Sequence, residues 1–256
     1  MGQPMVVHVA KAALGAGCEK LAVVIGHQAD AVIDTLRGAF EGVSIASALQ
    51  AEQLGTGHAV CCAEQALRGF DDVLILCGDT PALNAETLSR LIHDHDTAGR
   101  ALSVATFRAP DPTGYGRMVR DKQGRLTQIV EHRDANEAER AIDEVNAGIY
   151  LVERAALFSA LAEVGTDNAQ GEVYLTDIVK RFAATGQVLG TTTLDDPDRV
   201  RGINTRAQLA ELEASMLTYR IREMMDAGVT FEDPASVRVE AYVTVGPDTR
   251  IGRAVQ

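Results

Sequence analysis

Asp79 closes an apolar run, Val73-Leu74-Ile75-Leu76-Cys77-Gly78, and Thr80-Pro81 follows it. A carboxylate at the end of such a strand stands where open α/β sheets bind ligands, and its hard oxygens suit a phosphate-bound metal. The competing use of an aspartate there is to cap the next helix. Upstream lies a polar, glycine-bearing stretch, Leu49-Gln50-Ala51-Glu52-Gln53-Leu54-Gly55-Thr56-Gly57-His58-Ala59, which leads into a helix-like run. Its Gly57 opens no dinucleotide fingerprint, because Val60 stands where glycine or alanine is needed. Asn146 lies inside an apolar strand-like segment, where an amide is costly unless paired, so a role is expected for it. His58, His93, His95 and His132 have no ligand spacing and are expected at the surface or in caps. Cys18, Cys61, Cys62 and Cys77 show neither metal-ligand spacing nor a secreted disulfide pattern, and read as reduced thiols of a cytoplasmic protein.

The elements that must hold these residues alternate. Pro4 suits the first turn of a helix running to about Gly15, and 21–25 is a short β-branched run expected as a buried strand ending at Gly26. Helix is expected over 29–36 and 58–67, an extended segment over 43–46, and a second buried strand over 73–76. Asn84 is placed to cap a helix reaching about His95. After Arg108 the texture changes: 118–120 and 126–130 flank Asp121-Lys122-Gln123-Gly124 as a hairpin, and 145–152 is another strand. Helices are expected over 154–163, 173–184 and 205–227, the last with Leu209, Leu212, Met216, Leu217, Ile221, Met224 and Met225 on one face. Strand–helix alternation of this kind implies an α/β fold, a mostly parallel Rossmann-like sheet with helices on both faces. The tail reads as hexads beginning at Val239, Val245 and Ile251, a period that resembles the repeat of left-handed parallel β-helices.

Composition narrows the function classes. A net charge of −12 argues against nucleic acid and anionic membrane as partners. No apolar stretch approaches the ~18 residues of a membrane span, and no basic flank precedes an apolar run near the N-terminus. Membrane insertion and a signal peptide are therefore not expected.

The two glycine-bearing and strand-end motifs together resemble the substrate face of bacterial N-acetylglucosamine-1-phosphate uridylyltransferases, within the sugar nucleotidyltransferase family. The resemblance spans about residues 3–256. It implies uridylyl transfer from UTP to N-acetylglucosamine 1-phosphate, giving UDP-N-acetylglucosamine and pyrophosphate for peptidoglycan and lipopolysaccharide precursors. The sugar phosphate oxygen attacks the α-phosphorus in line, which asks for alignment and charge neutralisation and for no protein nucleophile. By the same resemblance Gln50, Gly55 and Thr56 read the uracil and flank the ribose, and Asp79 with Asn204 holds Mg²⁺. Asn204 could also cap the helix that follows it. Gly116, in Gly114-Tyr115-Gly116-Arg117, places its amide near the sugar; Glu131 accepts from sugar hydroxyls; Asn146 reads the N-acetyl group or a hydroxyl, with Gly148 leaving room. Asn168 to Asp177 frames the sugar pocket, with no catalytic role assigned to any member.

The expected layout is thus a nucleotidyltransferase domain over 1–204, a linker helix and connector over 205–238, and the start of a β-helix over 239–256. The family's opening strand and glycine-rich basic loop have no counterpart before Met1-Gly2-Gln3-Pro4, so the chain is expected to be a fragment of a bifunctional enzyme, weakly active or inactive by itself. None of Lys11, Lys20, Lys122 and Lys180 matches the family's basic residues. The parent is expected to trimerise through its β-helix and to carry an acetyltransferase activity. Two other readings stay open: another hexose-1-phosphate nucleotidyltransferase, or a non-catalytic nucleotide-sugar sensor.

Overall fold

A computed structural model describes residues 2–26 and 29–256. The chain opens with α1 (Met5–Gly15), β1 (Lys20–Ile25), α2 (Ala29–Ala39), β2 (Ser44–Leu49), α3 (Thr56–Cys62) and β3 (Asp72–Ile75). Next come α4 (Ala85–Thr97), β4 (Leu102–Arg108), β5 (Arg117–Arg120), β6 (Leu126–Val130), α5 (Glu137–Arg140) and β7 (Glu144–Glu153). The remainder is α6 (Arg154–Leu161), α7 (Asp177–Thr185), β8 (Leu189–Thr193), α8 (Arg206–Asp226), β9 (Thr230–Phe231) and β10 (Arg250–Ile251).

Six strands form the main sheet, in the order β6-β5-β7-β4-β8 with β3 also on β7. The ladders give β3, β4, β5 and β8 one direction and β6 and β7 the other, so the sheet is mostly parallel in sense although β7 pairs antiparallel with every neighbour. Alternate residues of β7 face opposite cores. Tyr150 and Val152 pack with Ile178, Val179 and Phe182 of α7, and Ile149 and Leu151 pack with Leu88 and Leu91 of α4. Helices therefore cover both faces, as binary patterning with period two demands.

β7 has two edges, and their use shapes the molecule. β4 takes one edge along its length, so β3 (at residues 150–153) and β5 (at Val145) divide the other. Between them β7 bulges: Val104 pairs with Tyr150 and Thr106 with Asn146, so Ala105 alone faces residues 147–149. Gly148 sits in this bulge at φ +72°, a left-handed conformation open to glycine.

β1 and β2 form a separate parallel pair, packed on α1 and α2 through Val7, Ala10 and Leu36. The expectation that 21–25 and 73–76 are buried strands is corrected here. β1 is half-buried throughout, and in β3 only Val73 is buried, because among the described residues each strand is paired along one edge only. The helix expected from 173 starts at Asp177, since 173–176 is held as irregular chain against the Gly55 loop. β4 and β8, each with a glycine turn just ahead of it (Gly99 and Gly186), are strands the sequence reading does not delimit.

α8 begins with a capping box, Thr205 accepting from Gln208 N while the Gln208 side chain accepts from Thr205 N. Its upper part packs Leu212 on Ala82 and Ile203, and its lower part packs Leu217, Ile221 and Met224 on Val229, Phe231, Val237 and Val239. Leu209 and Met225, expected on that face, are 39% and 40% exposed. In the tail, β9 and β10 pair in parallel, and Arg238 N donates to Val255 O, so 229–238 lies beneath 249–255. No helix among the described residues is long and apolar enough to cross a membrane.

Candidate active site

Where β3 leaves β7 and β5 has yet to join it, the sheet opens into a crevice whose floor is Asn146 to Gly148. Asn146 N donates to Gly116 O at one lip, and Cys77 Sγ donates to Gly148 O (3.6 Å) at the other. Neighbouring strands diverging at their ends is the geometry in which open sheets bind ligands.

The sugar-side residues converge on that floor. A Cβ at Gly116 would lie in ordinary contact, 3.6 Å, with both Asn146 Cβ and Glu131 Oε1 and would press on Ile129 Cγ2 at 2.8 Å, so Gly116 lies against all three residues. Asn146 Nδ2 donates to Tyr150 OH (2.6 Å) and its Oδ1 accepts from Gly148 N (2.9 Å). That leaves one amide hydrogen and one lone pair for a ligand. Glu131 Oε1 accepts from Thr176 Oγ1 (3.0 Å), and burial pushes its carboxyl above the usual range despite that bond. Tyr150, fully inside the protein, has its phenol pushed well up by burial, with the Glu131 charge adding to it.

The Gln50 loop is tied to the segment that reaches Glu131. Gly55 has φ +107°, and a Cβ there would fall 2.5 Å from Val173 O. Gly57 N donates to Val173 O, Val173 N to Leu54 O, and Leu175 N to Thr56 Oγ1 (3.0 Å). Thr56 thus fastens its loop to the segment that carries Thr176, and through Thr176 to Glu131. Gln50 Nε2 donates to Gly55 O (3.0 Å) and lies 3.1 Å from His58 Nδ1. An amide nitrogen cannot accept, so Nδ1 is the acceptor and the His58 proton sits on Nε2, toward Cys62 Sγ. Both Gln50 amide hydrogens are engaged, and its Oε1 is the group left for a ligand N–H.

Asp79 lies in a turn four residues beyond the end of β3. Its backbone oxygen accepts from Ile203 N (3.0 Å), and Gly202 passes so near that a Cβ would lie 3.2 Å from Asp79 Oδ2. Asn204 follows directly and is exposed. Its expected alternative role as helix cap is corrected, because Thr205 is the cap. Asp79 is not a helix cap either, since Asn84 caps α4 through Thr87 N (3.0 Å). The Ile203–Asp79 backbone bond brings the segment that carries Asn204 alongside Asp79. No group of three or more His, Cys, Asp or Glu able to hold a metal occurs among the described residues.

Several groups were not anticipated. Tyr115 packs edge-on against Phe107 (5.3 Å between centroids), and its phenol is pushed up by burial while the Arg201 charge lowers it and that of Asp79 raises it. Arg117 is 1% exposed; it donates to Tyr115 O and to His132 Nδ1 (3.2 Å), bracing the turn that presents Gly116. The expectation of a surface or cap position fails for His95, which is buried beside Ser103 Oγ (3.0 Å), while His58 and His132 are half-buried with the partners above. Thr176 belongs to a motif that sequence reading singled out without a role. Tyr115 and Arg117 stand in the Gly114–Arg117 motif without an assigned role, and Tyr150 carried no local signal.

A family model described as nucleotidyl transferase matches residues 1–197. The bifunctional protein GlmU of Pelobacter propionicus is 47% identical over 252 residues, covering 98% of this chain and 54% of that protein. The GlmU of Geobacter metallireducens is 48% identical over 252 residues, covering 98% and 52%. The chain therefore spans about half the length of the curated relatives it matches. Among solved structures, a UDP-glucose pyrophosphorylase complexed with UDP-glucose superposes with a TM-score of 0.59 at 19% identity, covering 73% of this chain and 77% of that one, a likeness of fold.

Proposed function

The chain belongs to the nucleotidyl transferase family, and on that footing we propose that it is the uridylyl-transfer part of an enzyme making UDP-N-acetylglucosamine and pyrophosphate from UTP and N-acetylglucosamine 1-phosphate. The observation that carries this reading is the convergence of Gly116, Glu131 and Asn146 on a crevice whose open end is marked by Asp79.

Each residue has a definite task. Gln50 Oε1 accepts from the imide N–H of uracil, while Gly55 lets the ring approach backbone and Thr56 keeps the loop in place. Glu131 accepts from sugar hydroxyls, and Asn146 uses its remaining donor and acceptor on the N-acetyl group. Asp79 and Asn204 would hold Mg²⁺, which when bound neutralises phosphate charge. The protein's contribution is alignment of the attacking oxygen, as in-line transfer requires. We assign the chain to the cytoplasm, since the spacing of Cys18, Cys61, Cys62 and Cys77 suits reduced thiols. Stacking of 229–238 beneath 249–255 supports a β-helix in the whole protein, and with it a trimer and an acetyltransferase activity.

Calorimetric titration with UDP-N-acetylglucosamine and Mg²⁺, with UDP-glucose for comparison, tests the reading. Selective binding of the N-acetyl sugar is expected. A folded chain that binds neither sugar nucleotide would refute it.

A further inference from the structure

Arg201 is carried across the mouth of the crevice on a short, well-anchored segment. Val200 and Ile203 are buried on either side of it, and Ile203 is tied to Asp79 by a backbone hydrogen bond. Gly202, between them, crosses the Asp79 carboxylate so closely that a Cβ would press on Oδ2 at 3.2 Å. The Arg201 charge acts on the Tyr115 phenol, as that of Asp79 does, so the guanidinium lies within reach of the Asp79 side of the crevice. Its side chain is 39% exposed, and its ion-pair partner among the described residues is Glu211 on α8. That contact is single and long, 3.3 Å, with the Glu211 side chain 65% exposed. An exposed, one-armed pair of this kind is worth little and exchanges readily. A guanidinium on a fixed backbone, with a weak resting partner, is suited to a ligand that presents several anionic oxygens, because its planar fork matches them.

We propose that Arg201 is a phosphate-binding residue of this site, leaving Glu211 to engage the diphosphate oxygens of the bound nucleotide. Glu211 then acts as a competitor for the same guanidinium. The inference rests on the nucleotide-sugar reading above but adds a residue which that reading does not use.

The test is calorimetry of the full chain with UDP-N-acetylglucosamine plus Mg²⁺, and separately with inorganic pyrophosphate plus Mg²⁺. Wild type is compared with Arg201→Ala, Arg201→Lys and Glu211→Gln. Loss of a charge-assisted contact weakens both ligands roughly tenfold to a hundredfold in Arg201→Ala, with Arg201→Lys between that and wild type. Glu211→Gln removes the competitor and tightens both ligands, by up to about fivefold. The opposite signs separate this role from a structural strap between 201 and α8, which predicts that the Ala and Gln variants weaken binding alike; that result overturns the proposal. Wild-type binding with an unchanged Arg201→Ala overturns it while leaving the nucleotide-sugar reading intact. A wild type that binds neither ligand overturns both. Circular dichroism reports folding, and if Arg201→Ala does not fold, the Lys and Gln variants decide the question.

Discussion

Glu131→Gln separates binding from stability at one atom. The substitution keeps shape and volume, and the Thr176 hydroxyl, 3.0 Å from Oε1, can still donate to the amide oxygen. What disappears is a carboxylate whose pKa burial holds above its ordinary 4.5. For a raised acid the linkage has a definite sign. The folded state binds the proton more tightly, so stability is complete below pH 4.5 and is lost as pH rises through the folded pKa. The Gln variant carries no such loss. Its melting temperature should equal or exceed that of wild type at pH 7, and the gap should close as pH falls below 4.5. Binding should move the other way. A hydrogen bond to a charged group contributes about 1.5–3 kcal/mol and a neutral one about 1 kcal/mol, so losing the charge costs about 0.5–2 kcal/mol, or roughly twofold to thirtyfold in affinity for UDP-N-acetylglucosamine. Thermal melts from pH 4 to 8 and calorimetry at pH 7 read both effects. A variant that melts lower at pH 7 yet binds as wild type does would show that Glu131 serves only as the partner of Thr176, and the reasoning would fail.

Asp79→Asn should leave the melting temperature near that of wild type, because the backbone oxygen makes the Ile203 bond, while Mg²⁺-dependent binding falls by roughly tenfold or more; equal binding with Mg²⁺ and with EDTA in wild type would contradict this. Gly55→Ala meets both φ +107° and the Val173 carbonyl at 2.5 Å, so a loss of about 1–3 kcal/mol is expected in denaturant unfolding, together with loss of uridine-nucleotide binding. Gly148→Ala should destabilise as well, and because its Cβ would lie 3.0 Å from Cys77 Sγ, adding Cys77→Ala should recover part of the loss in a double-mutant cycle; strict additivity would show that the sulfur contact is irrelevant. Thr205→Ala removes the α8 cap and should cost about 0.5–2 kcal/mol, measured by chemical unfolding, without changing ligand affinity.

Much of the molecule was legible because its signals are local. The Asn84 cap, the 118–130 hairpin around Gly124 and the start of α8 each depend on side chains within a few residues of one another. Half-burial of β1 and β3 was not legible, since their apolar runs look alike whether one edge or two are paired. The late start of α7 has the same origin: 173–176 has helix-compatible residues, but their backbone groups are taken by the Gly55 loop 119 residues away in sequence at the Thr56–Leu175 bond.

The amino-acid sequence by itself determined the residue types of the site and most of the elements that carry them, because carboxylate, amide and glycine chemistry and periodicity are properties of short segments. Only the tertiary structure decided that Gly116, Glu131 and Asn146 share one floor. That outcome depends on the register of β3, β4 and β5 along β7 and on the bulge at Gly148, which no local pattern encodes. It also decided where Arg201 and Thr176 belong. Their roles come from contacts closed across the fold, where burial and competing hydrogen-bond partners, not sequence neighbours, set the geometry.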